Sequence, residues 1–137
     1  MTTRATTVLL AAALLAAGAV ACSKSSDEKA ADCATALTGR TGSDAADKPT
    51  VSEAAVRVDA FDKTLADMVR SGYDGLARNA YRKVEEKTKE VRRPEACEAL
   101  SEDDYTALLM AKAIDGLGWT GADGEFDKLK MVEGLGD

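Results

Sequence analysis

The 14 residues Val8–Ala21 carry no charge and no strongly polar side chain, and they run directly into Cys22-Ser23-Lys24-Ser25-Ser26-Asp27-Glu28-Lys29. A bilayer-spanning helix needs about 20 apolar residues, so this run is too short for a permanent span. Arg4 stands before it, and the small residues Ala19 and Ala21 stand at its end. A basic start, an apolar middle and a small-x-small finish are the layout of a secretory signal. Residues 1–21 are therefore expected to direct export and to take no part in the fold of the mature chain.

Two processing routes meet at the same bond. Ala19-Val20-Ala21 satisfies ordinary signal cleavage, which would release a soluble secreted protein. The same residues followed by Cys22 resemble the lipobox of bacterial lipoproteins. That resemblance implies that Cys22 becomes the acylated N-terminus and that the protein is held at the cell membrane, on its extracytoplasmic side, through N-terminal acyl chains. One acyl chain alone binds membranes weakly, so stable anchoring takes more than one. The chain has three cysteines, Cys22, Cys33 and Cys97. With Cys22 acylated, Cys33 and Cys97 are the thiols left, and an oxidising compartment favours their pairing as a disulfide. The alternative is two unpaired thiols.

Past Cys22 the composition predicts two regions. Residues 22–50 read as a lipid-anchored polar tether: Ser23–Asp32 and Thr38–Thr50 contain no large apolar residue and cannot bury enough surface to offset ordering entropy. Between them, a short helical turn is expected near Cys33 and Leu37. A flexible tether of this length would reach about 30 Å. Residues 51–137 read as one helical domain, and the fold class is all-α, a small three- to four-helix bundle.

The helices are read from caps and periodicity. Val51–Arg70 repeats apolar residues at steps of three and four (Val51, Ala54, Val58, Phe61, Leu65, Met68), with Thr50 or Ser52 as cap. On its polar face Glu53 is spaced to pair with Arg57, and Asp59 with Lys63. Tyr73–Arg93 is a second helix with a thin alanine seam, expected antiparallel to the first. Pro94 ends it. Ser101 starts a third helix whose stretch Tyr105–Leu117 holds only Lys112 and Asp115 as charges. That helix should be the most buried. Glu125–Glu133 suits a short closing helix.

The inventory of chemistry is short. The chain has no histidine, which removes Ser-His-Asp and Cys-His catalysis and every histidine-based metal site. No phosphate-binding glycine loop occurs. In Thr120–Asp127 the acids Asp123, Glu125 and Asp127 are the one candidate oxygen cluster for a hard cation, but the EF-hand pattern fails there, and a helix start explains them. No metal, no cofactor and no enzymatic activity are expected. A net charge of −6 argues against nucleic acid as a partner. Trp119 is expected at the edge of the core with its N–H reaching a partner. With Arg78, Arg82 and Lys83 it makes the candidate interaction surface. The expected function is a non-enzymatic binding or protein-interaction module. The alternative is a helical domain that binds a small ligand or peptide at the cell surface.

Overall fold

A computed structural model describes residues 24–136; Cys22 and the export segment lie outside the described residues. The described chain is all-α. It holds five helices, one more than the three to four expected, and the additional one comes from the region read as tether.

That helix, α1 (Ser26–Thr41), is the main departure from the sequence reading. Ser25 caps it, its side chain accepting from the Glu28 N–H, with Asp27 and Glu28 in the first turn. Both features favour the positive helix end. Gly42 closes it at φ 72°, donating its N–H to the Thr38 carbonyl. Ala30, Cys33, Ala34, Leu37 and Thr41 form one buried stripe. Leu37 is the one large apolar side chain in the stripe, so the stripe offers little apolar area of its own, and the local composition reads as polar. Small side chains nevertheless let backbones approach closely, and this helix is stabilised by what it packs against.

The remaining elements begin and end at their own local signals. α2 (Val51–Arg70) has the Thr50/Glu53 capping box, in which Thr50 and Glu53 satisfy each other's free backbone N–H groups. α3 (Asp74–Thr88) is shorter than the expected Tyr73–Arg93. The chain leaves the helix after Lys89, and Val91 turns in to pack on the core. The Arg93 guanidinium donates to the Cys97 and Leu100 carbonyls, holding a 3₁₀ turn at Glu95–Cys97. α4 (Glu102–Gly116) begins at Ser101, whose side chain accepts from the Asp104 N–H. α5 (Lys128–Leu135) starts three residues later than expected, with Asp127 as its cap. Between α4 and α5 a narrow turn is closed by an antiparallel bridge between Thr120 and Phe126.

α4 is the spine. One buried cluster gathers Cys33, Leu37, Ala54, Cys97, Tyr105 and Leu108 at its N-terminal half. A second gathers Phe61, Met68, Ala80, Ile114, Trp119 and Met131 at its C-terminal half. α1 joins only the first cluster, and α5 only the second. At the end of α4 the backbones of two helices nearly touch: a Cβ on Gly116 would stand 2.0 Å from the Thr41 carbonyl oxygen. No side chain larger than hydrogen fits there.

Cys33 and Cys97 stand at disulfide distance, with Sγ–Sγ 2.02 Å and Cα–Cα 4.6 Å across 64 residues of chain. A loop of that size stabilises by roughly 4 kcal/mol in the chain-entropy model. Thiol counting on the denatured, unreduced mature protein should therefore find neither Cys33 nor Cys97 reactive. Reduction should lower the melting temperature by about 10 °C or more and open α1 to protease. Two reactive thiols before reduction would rule the pairing out.

Candidate functional site

Three charged side chains that helical spacing places on different helices or in the tether meet inside the protein. Arg57 sits in the α2 stripe, three residues after Ala54 and four before Phe61, and is only 3% exposed. It does not pair with Glu53, as the spacing predicts. Its guanidinium grips Asp47 with both ends, Nη1 to Oδ2 at 2.9 Å and Nη2 to Oδ1 at 2.8 Å. Nη1 also donates to the Ala111 carbonyl at 2.9 Å, and Nε and Nη2 donate to the Gly124 carbonyl at 3.2 and 2.7 Å. Lys112 of α4 is 0% exposed. Its ammonium donates to the Asp44 and Asp47 carbonyls and lies 3.8 Å from Asp47 Oδ2. Asp115, one turn on, accepts from the Asp44 N–H at 2.8 Å and from the Thr120 hydroxyl.

This cluster orders the stretch between α1 and α2, which the composition reads as flexible. Asp44 folds it into a turn, accepting from the Ala46 N–H through its side chain and from the Asp47 N–H through its carbonyl. That turn aims Asp47 inward. A carboxylate shared by a guanidinium and an ammonium meets the condition under which buried charge is tolerated: paired and hydrogen-bonded. Burial is the largest influence on Lys112 and lowers its pKa below the ordinary lysine value, with Asp47 the main group opposing. Asp44, Asp47 and Asp115 also border an open depression of about 430 Å³, shared with Thr120 and Lys130.

The residues singled out from the sequence do not form one surface. Trp119 is 2% exposed and lies inside the second cluster, its ring 6.2 Å from that of Phe61. Gly134 of α5 covers its Nε1 edge so closely that a Cβ there would stand 3.1 Å away. Arg78 and Arg82 are exposed on α3, where Arg78 pairs with Asp74 at 2.7 Å and Arg82 approaches Glu86 at 3.9 Å. Lys83 is half-buried. Arg78 and Arg82 are answered by acids of their own helix, which makes a solvated face rather than a basic patch. The expected Asp59–Lys63 pair is present at 3.1 Å.

The loop acids Asp123 and Asp127 are engaged by backbone: Asp123 Oδ1 accepts from the Glu125 N–H at 2.9 Å, and Asp127 Oδ1 from the Lys130 N–H at 3.1 Å. Among the described residues no three histidine, cysteine, aspartate or glutamate side chains gather in a metal-holding group. Two of the open features have largely apolar linings. One is an apolar cleft of about 250 Å³ edged by Met68, Tyr73, Leu76 and Val132, at the second cluster. Exposed Leu129 lies one turn before Val132 on α5. The other is a groove of about 350 Å³ between the start of α2 and the 123–126 turn, lined by Glu53, Val56, Ala60, Asp123, Glu125 and Phe126.

Searches against protein-family models, curated proteins and solved structures return no match to this chain.

The sequence reading missed Asp47, Arg57 and Lys112. The available signals were a basic residue inside an otherwise apolar stripe (Arg57) and a lysine flanked by alanines in the most apolar helix (Lys112). Their geometry makes two outcomes measurable. Arg57→Met leaves the Asp47 carboxylate without its main partner and should cost about 3 to 5 kcal/mol in urea unfolding. The double change Arg57→Met/Asp47→Leu should cost less than the single. A double-mutant cost equal to the sum of the Arg57→Met and Asp47→Leu single costs would show that the pair is not coupled. For Lys112, the folded chain releases its proton at lower pH than the unfolded chain does. Through the alkaline range below the ordinary lysine value the unfolded state therefore holds more protons, and stability from this group rises with pH. The unfolding free energy of the wild type relative to Lys112→Met should increase as pH rises toward the ordinary lysine value of about 10.4; a flat difference would contradict the burial effect.

Proposed function

We propose that this chain is a lipid-anchored, non-enzymatic interaction module on the extracytoplasmic face of a bacterial membrane, attached through acyl groups on Cys22. The observation that carries the reading is the sequence Ala19-Val20-Ala21-Cys22 at the end of the uncharged run, four residues before a helix that belongs to the folded core. The spacing changes how such a module is held. α1 begins at Ser26, so residues 22–25 are all the chain between the acylated position and the fold. Four residues extend at most about 14 Å, less than half the reach of a flexible 22–50 tether. The domain would stand close to the bilayer.

The first buried cluster includes residues of α1, the helix that follows Cys22 in the chain. The apolar cleft at Met68, Tyr73, Leu76 and Val132 opens over the second cluster, to which α1 contributes no residue. Exposed Tyr73 and Leu129 beside it are the side chains a partner protein covers at an interface. The lack of histidine and the engagement of the buried cations by backbone and Asp47 support a non-enzymatic reading.

The mature protein should partition into the detergent phase, and mass spectrometry should find acyl chains on its N-terminal Cys22. Cys22→Ser should abolish both. An unmodified Cys22 in a protein recovered from the aqueous phase would instead show soluble secretion.

A further inference from the structure

We propose that the groove between the start of α2 and the 123–126 turn is the seat for a basic segment of a partner protein, in which a lysine or arginine alternates with apolar residues. Its floor is apolar: Val56, Ala60 and Phe126, with Val56 60% exposed although it borders a folded core. Its rim is acidic: Glu53 on α2, and Asp123 and Glu125 on the turn.

The charge on that rim is uncompensated. Among the described residues none of these three carboxylates belongs to an ion pair, whereas Asp59, Asp67 and Asp74 on the neighbouring helical surfaces each hold a cation of their own helix. The cation in the groove wall, Arg57, is answered by the bidentate Asp47 beneath it. A long basic side chain fits this division. Its aliphatic stem covers the apolar floor, and its charged head reaches the rim. Apolar neighbours in the partner would cover Val56 and Phe126. A strongly acidic partner is excluded by the same rim.

The groove is also built rigidly, so little ordering is required on binding. The Gly124 carbonyl is clamped by Arg57 Nε and Nη2. Phe126 stands edge-on to Phe61 at 5.6 Å. Glu53 is held by the capping box, accepting from the Thr50 N–H at 3.3 Å. The buried charge cluster thus has a second consequence: the same Arg57 that holds Asp47 also lines the groove.

This inference rests on the reading of the domain as an interaction module and names the chemistry of its partner. Its test is independent of the anchor, because detergent partition reports nothing on the groove. The mature protein in nonionic detergent is titrated with acetyl-Lys-Leu-Lys-Leu-Lys-amide while backbone amide shifts are followed by NMR. Saturable shifts are expected at Glu53, Val56, Gly124 and Phe126, with none from the peptide in which glutamate replaces lysine. Asp123→Asn/Glu125→Gln should weaken binding about tenfold or more, and Val56→Ala, at an exposed position, should weaken it with the fold intact. Equal binding of the acidic peptide, shifts centred on Tyr73 and Leu76 instead, or binding unaffected by the carboxylate changes would overturn the proposal. Cadaverine shifting the same amides with the same affinity as the peptide would also overturn it, in favour of a small-amine site.

Discussion

The bidentate contact between Arg57 and Asp47 is the interaction on which the rest of the arrangement depends. Asp47 lies in the connection between α1 and α2, Arg57 lies in α2, and the same guanidinium reaches the Ala111 carbonyl of α4 and the Gly124 carbonyl of the turn after it. Lys112 closes the cluster from the α4 side through the Asp44 and Asp47 carbonyls. Four separate stretches of chain are therefore referred to one carboxylate. Buried ion pairs are often no more stabilising than a well-packed apolar replacement. Their value is directional, since an apolar contact would not dictate which way the 42–50 connection turns or where the 123–126 turn sits.

That constraint explains how a helix as weakly apolar as α1 is kept. Its buried stripe of Ala30, Cys33, Ala34 and Leu37 is narrow, and isolated helices of this length are marginal in water. Three attachments hold it along its length. Ser25 caps its start, Cys33 meets Cys97 in its middle, and the Thr41 carbonyl lies against Gly116 at its end. The last contact depends on the connection after Thr41 being folded back over α4, which Asp44 and Asp47 accomplish. The pair at Cys33 and Cys97 and the charge cluster therefore secure separate parts of the same helix, its middle and its end.

The surface divides accordingly. Exposed cations on α2 and α3 mostly face acids of their own helix, which leaves those faces solvated and bland. The two openings that differ are the apolar cleft by Tyr73 and Leu76, and the groove with an apolar floor and an acidic rim by Val56. In the proposed lipid-anchored module, both are places where a partner could be recognised by shape and charge alone.

How much of this was legible from residues alone depends on the range of the forces involved. Thr50 with Glu53, Ser101 with Asp104 and the three-and-four spacing of Val51 to Met68 are local signals. They act within one or two turns, and α2 and α4 begin where those signals stand. Pro94 did not set the end of α3, which stops at Thr88, before Val91 turns onto the core. The cysteine pair was readable because only three thiols exist. Tertiary structure alone decided that residues 26–41 form a helix, since its alanine stripe gains stability only against α4 and the 3₁₀ turn around Cys97. It decided that Arg57 turns inward to Asp47, ten residues away, instead of outward to Glu53. It also placed Trp119 beneath Gly134 rather than on a surface with Arg78, Arg82 and Lys83. In each case the deciding partner lies outside the local turn, and neither periodicity nor capping reports on a partner that only the folded chain brings near.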